Sequence, residues 1–173
     1  MTIGCADGTV KMVDFSAQDF TPLKTLVFEP KEEEKGKPCL HHYSSKTMIA
    51  AGSSTGSVNL FSKETKELIM NLPQIHKFEV FGTSLYEEKE LFTASDDATF
   101  KGVDIASGTV MFTNKRHFTG VTSVEKVNAN HILVTSHDGT ISLFDSRKPT
   151  SEAVEQIKPD SDASVWDVKW SFN

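Results

Sequence analysis

Apolar and polar residues alternate in short runs along most of this chain, and a small polar turn interrupts the alternation at regular intervals. In Ser95-Asp96-Asp97-Ala98-Thr99-Phe100-Lys101-Gly102-Val103-Asp104, carboxylates and a small residue make a tight turn. Phe100 then alternates with polar neighbours, as on a half-buried strand. The pattern returns from Ala6 to Asp14, from Ser54 to Ser62 and from His137 to Asp145. Its copies end at Asp14, Ser62, Asp104 and Asp145, a period of roughly 40–48 residues. Around the turns the alternation predicts further strands. Leu23–Phe28 is one, ended by Pro30. Cys39–Tyr43, Met48–Ala51, Ser57–Phe61 and Glu67–Asn71 follow as one unit of four. Val80–Ser84, Leu91–Ala94, Thr99–Asp104 and Val110–Thr113 make the next. Val121–Val127, Ile132–Thr135, Thr140–Asp145 and a weaker run near Ala153–Ile157 make a third, and an inner strand is expected over Val165–Trp170.

A unit of about 40–45 residues, with a small-residue turn ahead of a strand ending in Asp, is the WD-repeat signature of a β-propeller blade. The expected fold class is therefore all-β, a single WD-repeat propeller domain over residues 1–173 with about four repeat units. Its parts are a partial blade at 2–29, complete blades at 38–72, 76–114 and 117–158, and the first strand of a further blade at 164–173. Strand-like sequence follows Met1 at once, without a leader, so the chain enters at what would be a blade's second strand. Such an array is either an open partial propeller or a ring. An open end leaves a strand edge unpaired, which proteins normally cover. Pairing of 165–170 with 2–7 in a composite four-blade ring is one way to cover it, and the alternative is a truncated array that stays open.

Charge narrows the function classes. Eighteen basic against 24 acidic residues give a net charge of −6, with no basic field for nucleic acid or an anionic membrane. Lys31-Glu32-Glu33-Glu34-Lys35-Gly36-Lys37 reads as a solvated loop, because nothing apolar is interleaved for it to bury. Cys5 and Cys39 make neither a disulfide framework nor a metal spacing and are expected to be reduced strand residues. No apolar run approaches the length of a membrane span. A cytoplasmic protein without metal or cofactor is expected.

Two His–Asp pairs stand out, His76 ahead of Asp97 and His117 ahead of Asp138 at the same interval. A His oriented by an Asp can serve as a general base. Two copies at one offset read instead as a repeat rule, a buried hydrogen-bond network that ties each blade together. The Trp that usually completes this network on the third strand is Val103 in one copy and Phe144 in the other. Gly52-Ser53-Ser54-Thr55-Gly56 has the G-x-S-x-G form of a hydrolase nucleophile. That motif needs a strand turning into a helix, whereas Ser57–Phe61 continues as a strand.

Several segments go beyond the generic repeat and resemble the WD-repeat diphthine methyl ester hydrolases of diphthamide biosynthesis. They are His76-Lys77-Phe78-Glu79-Val80-Phe81, Ser95-Asp96-Asp97 with Lys101-Gly102-Val103-Asp104, and Lys115-Arg116-His117 with Gly120-Val121. Asp145-Ser146-Arg147 and Val165-Trp166 through Lys169-Trp170 complete the likeness, which covers about residues 52–170. The chain departs from the family at Ala98 for a turn Gly, at Val103 and Phe144 for Trp, and at Ala163-Ser164 for Gly residues. The resemblance implies removal of the methyl ester of diphthine from elongation factor 2, which frees the carboxylate for the final amidation. It assigns no nucleophile. His41, His42, Arg116 and His117 are the candidates for ester chemistry at the loops around the channel mouth. His41 and His42 share an inner strand, so one of them must face a neighbouring blade. Trp166 and Trp170 fall on one face of a strand and read as packing between blades. The competing function is a non-catalytic scaffold, or a fragment of one, that binds a partner peptide across its face.

Overall fold

The computed structural model describes residues 1–16, 22–159 and 163–168, and among these nearly all regular structure is β. A three-stranded antiparallel sheet comes first, from β1 (Thr2–Gly4), β2 (Val10–Phe15) and β3 (Pro22–Phe28). Three four-stranded antiparallel sheets follow, each in chain order. The second holds β4 (Cys39–Ser44), β5 (Met48–Ser53), β6 (Val58–Ser62) and β7 (Leu68–Leu72). The third holds β8 (Val80–Tyr86), β9 (Glu90–Ser95), β10 (Thr99–Asp104) and β11 (Thr109–Asn114). The fourth holds β12 (Val121–Asn128), β13 (His131–Ser136), β14 (Ile141–Asp145) and β15 (Glu155–Ile157). One short 3-10 turn, Glu32–Glu34, lies inside the charged loop between the first two sheets.

The apolar residues explain why four sheets make one array. Three clusters of buried side chains lie between the sheets. Val10, Phe28, Ile49, Ala51 and Phe61 join the first to the second. Met48, Ala50, Val58, Leu60, Val80, Leu91 and Val103 join the second to the third. Phe92, Ala94, Phe100, Val121, Val124, Ile132, Val134 and Phe144 join the third to the fourth. A strand with a blade on both sides has no polar face, and Met48–Ser53 is accordingly buried at every position. The third-strand position that lacks Trp is filled by Val13, Phe61, Val103 and Phe144, all buried.

Each inner strand carries the same irregularity. The ladder shifts between Cys39 and His41, between Val80 and Gly82, and between Val121 and Ser123. A β-bulge of this kind bends the strand and re-aims a side chain. Here it sets Leu40, Phe81 and Thr122 outside the regular pairing at the entry to their blades.

Gly56 shows how tightly consecutive blades meet. It sits in the β5–β6 turn at φ +83°, and a Cβ there would stand 2.2 Å from the carbonyl oxygen of His76. His76 N–H in turn donates to the Gly56 carbonyl at 3.0 Å. Gly56→Ala combines left-handed backbone strain with a clash against main chain, so a loss of about 2–4 kcal/mol is expected in urea unfolding.

Of the two arrangements, the described residues do not form the composite ring. β1 pairs with β2 alone and stands at the edge of its sheet. Residues 163–168 form no strand and rest at the opposite end of the array, against β12. Thr122 Oγ1 donates to the Val165 carbonyl, Ser123 Oγ donates to Asp167 Oδ1 at 2.9 Å, and Ser164 Oγ donates to the His137 carbonyl at 2.7 Å. These bonds hold the segment where a further inner strand would run. Trp170 and the rest of the expected strand lie outside the described residues.

Candidate functional site

The loops that enter the inner strands and the turns between second and third strands come together on the array, and there they gather the titratable side chains. In the third sheet they build a closed network. His76 is buried, its Nδ1–H donating to Asp97 Oδ2 at 3.1 Å and its Nε2 lying 2.8 Å from Thr93 Oγ1. Asp97 also accepts from the Lys77 N–H at 3.0 Å, the Thr99 N–H at 3.1 Å and the Thr99 hydroxyl at 2.6 Å. Burial pushes the Asp97 carboxyl up, yet the bonds from His76, Thr99 and Lys77 outweigh it and hold the group well below the usual carboxylate range. Burial is also the main influence on His76 and lowers it, so the imidazole is neutral at pH 7.

The fourth sheet repeats the residues and not the network. His117 lies against the rings of Phe100 and Phe144, with centroids 6.1 and 5.7 Å away. Its Nε2 is buried and has no hydrogen-bond partner among the described residues. Asp138 is bonded by the Thr140 N–H at 3.0 Å and the Thr140 hydroxyl at 2.7 Å. Burial lowers the His117 imidazole and the nearby Asp138 charge offsets part of that. Val134 stands four residues before Asp138 where Thr93 stands four before Asp97, so the hydroxyl that Thr93 offers His76 has no counterpart here.

His117 lines a groove of about 390 Å³ together with Arg116, Phe118, Asp138, Thr140 and Glu152. Arg116 sits at its rim, exposed, with Nη1 2.9 Å from Glu152 Oε1. Phe118 is 97% exposed beside it. The other two candidates belong elsewhere. His41 faces the neighbouring blade, where its Nδ1 accepts the Thr83 N–H at 3.1 Å and lies 3.0 Å from the Thr83 hydroxyl. His42 follows it on β4, with the two rings 6.5 Å apart. Neither lines the groove that holds Arg116 and His117.

Ser54 lies in the hairpin turn between β5 and β6, so the strand-to-helix elbow of a nucleophile is not built there. Cys5 and Cys39 are free thiols, and burial pushes Cys39 up to about 11, which keeps it protonated and unreactive. Among the described residues no group of three or more His, Cys, Asp and Glu is placed to hold a metal. No described helix is long and apolar enough to cross a membrane.

Two groupings of side chains come together only in the fold. Trp166 stacks edge-on against His137 at 4.7 Å and Phe81 at 6.2 Å, so three loop-face rings anchor residues 163–168. Lys77, Lys101 and Lys115 line a second groove, of about 470 Å³, beside the His76–Asp97 pair. The signal for the lysines was the repeat alignment, in which Lys101 occupies the place of Asn59 and Ser142.

No model of a known protein family matches the chain. Among curated proteins it is similar to the diphthine methyltransferase of Homo sapiens, 30% identical over 133 residues, which cover 70% of this chain and 28% of that protein. The diphthine methyltransferase of Mus musculus is 32% identical over 134 residues, covering 70% of this chain and 27% of the mouse protein. The chain therefore spans little more than a quarter of the length of the curated relatives it matches. Among solved structures, the WD40 β-propeller domain of Doa1 superposes with a TM-score of 0.75 at 19% identity, covering 94% of this chain and 51% of that one. The sheets described above are WD40 blades, and they fill about half of that propeller.

Proposed function

Taking as premise that this chain belongs to the WD-repeat family of diphthamide biosynthesis, we propose that it hydrolyses the methyl ester of diphthine on elongation factor 2. The observation that carries the reading is His117, a neutral, half-buried imidazole whose buried Nε2 has no partner among the described residues. Native proteins rarely leave such an atom unsatisfied away from a functional site.

With its proton on Nδ1, the imidazole has a free lone pair at Nε2 facing no protein donor. Nε2 is closed off from the groove as the ring stands, so the imidazole would have to turn before a groove water could give that nitrogen a proton while its oxygen attacks the ester carbonyl carbon. The tetrahedral oxyanion would form beside Arg116, whose guanidinium Glu152 holds at the rim. Collapse breaks the bond to the methoxy oxygen, which takes the proton from the imidazolium and leaves as methanol. The carboxylic acid that remains ionises in water. The curated relatives are named for methyl transfer. Methylating a carboxylate needs no base, since the carboxylate is already a nucleophile, whereas attack by water on an ester does. An available base therefore favours the hydrolytic direction.

The test is to incubate the 173-residue chain with elongation factor 2 carrying methylated diphthine and to follow the substrate by intact mass. Loss of one methyl is the expected result, and an unchanged mass with folded, monodisperse chain overturns the reading.

A second reading has its own observation. Phe118, Phe78 and Trp166 are all more than half exposed, as a protein-binding face would require. A non-catalytic module of the WD-repeat type would then capture elongation factor 2 with its methyl intact, which the same experiment separates.

A further inference from the structure

Lys101 lies on β10 two positions past Thr99, a place held by Asn59 in β6 and Ser142 in β14. Both of those are buried, and each is satisfied from the outer strand. Asn71 Nδ2 donates to Asn59 Oδ1 at 2.8 Å, and Gln156 Nε2 donates to Ser142 Oγ at 3.0 Å. In the third sheet the register neighbour of Lys101 is Thr113, and the position holds a half-buried cation. Lys115 follows Thr113 by two residues and Lys77 comes from the loop ahead of β8, so three lysines line one groove of about 470 Å³.

None of the three ammonium groups has a hydrogen-bond or ion-pair partner among the described residues. Asp97 is the groove's carboxylate, and His76, Thr99 and the Lys77 N–H already occupy its oxygens. Burial lowers the Lys101 ammonium, Asp97 draws it back up, and the positive Lys115 lowers it again. The groove is therefore cationic and underneutralised, in a chain whose net charge is −6.

We propose that this groove binds an oxyanion, a phosphate or carboxylate group, presented on the side chain of a protein partner. Lysine ammonium groups on flexible stems suit a tetrahedral or planar oxyanion that brings its own charge. The cluster is too local for a nucleic-acid backbone, which needs an extended basic track and a favourable net charge. Loops that end at neighbouring blades make the walls, so a short peptide can lay its side chain into the groove from the loop face. His117 lines this groove as well as the ester groove, but the lysine site goes beyond the ester reading and does not depend on it.

The experiment is a titration of the chain by NMR with three probes: inorganic phosphate, a short Gly/Ser peptide carrying one phosphoserine, and the same peptide unphosphorylated. Saturable shifts confined to the amides of Lys77, Thr99, Lys101 and Lys115 are expected with the first two probes. The phosphopeptide is expected to bind at least about tenfold more tightly than inorganic phosphate, because it adds main-chain contacts. In the double variant K101M/K115M, which keeps the apolar stems, affinity for the phosphopeptide should fall by about tenfold or more. Binding by phosphate and phosphopeptide with equal strength would overturn the peptide-borne assignment in favour of a free anion. Absence of saturable shifts with both, or unchanged affinity in a folded K101M/K115M, would overturn the site.

Discussion

Replacing His117 by Gln is expected to lower hydrolysis of the diphthine methyl ester by about 100-fold or more, the usual contribution of a general base. Gln keeps a polar group of similar reach between Phe100 and Phe144, so the aromatic contacts survive and the melting temperature should move little. The pH profile separates a chemical role from a packing one. Burial lowers the His117 imidazole, so the base form persists below the ordinary imidazole range. In the wild-type chain the acid limb of kcat/KM should accordingly lie below pH 6.5. That limb should disappear in H117Q. Arg116→Met is expected to reduce kcat with a smaller effect on KM, since an oxyanion stabiliser acts mostly on the transition state. Activity of H117Q within tenfold of the wild type would remove His117 from the mechanism.

The largest effect on stability is expected from Asp97→Ala. The change strips the acceptor from the His76 Nδ1–H, the Lys77 N–H, and the N–H and hydroxyl of Thr99 in one step. Removing one member of a buried charged network costs about 3–5 kcal/mol. For a chain of this size that is about 10 °C or more in Tm. Asp97→Asn keeps an acceptor and should recover part of the loss.

The same network fixes the direction of the pH dependence. His76 is lowered in the folded state, so the unfolded chain takes up its proton first as the pH falls through about 6.5, and folding weakens from there. Asp97 is lowered too, so its contribution is complete above the unfolded carboxylate value and is lost progressively as the pH falls below about 4. Both groups therefore predict acid destabilisation in two stages, checked by thermal unfolding between pH 3 and 8. The D97A chain should lose the lower stage. A flat profile across that range would show that neither group is linked to folding.

The repeat was legible because it is written in local chemistry. Small-residue turns at Asp7-Gly8, Gly56, Asp97-Ala98 and Asp138-Gly139, each followed by alternating apolar residues, specify hairpins without long-range information. The curated relatives were legible too, because the likeness lay in side chains, among them Lys115-Arg116-His117 and Val165-Trp166, beyond the generic turn pattern.

The site was less so. Two His–Asp pairs with one spacing look equivalent in the sequence, yet His76 finds Thr93 and Asp97 while His117 meets Phe100 and Phe144. Part of the difference is local, since Val134 stands where the first repeat has Thr93, and the contacts with Phe100 and Phe144 come from packing. Lys101 looked like an ordinary polar residue of an alternating strand until the fold set Lys77 and Lys115 around it. Closure was likewise beyond the reach of local pattern, since pairing of 165–170 with 2–7 satisfies every strand rule. It fails among the described residues because Thr122, Ser123 and His137 hold 163–168 against β12. The sequence by itself determined the blades, through periods of two residues and of roughly 40–48 that need only nearest neighbours. Only the tertiary structure decided which imidazole is left unsatisfied, which lysines meet and where residues 163–168 rest, because each depends on groups far apart in the chain brought within a few ångströms.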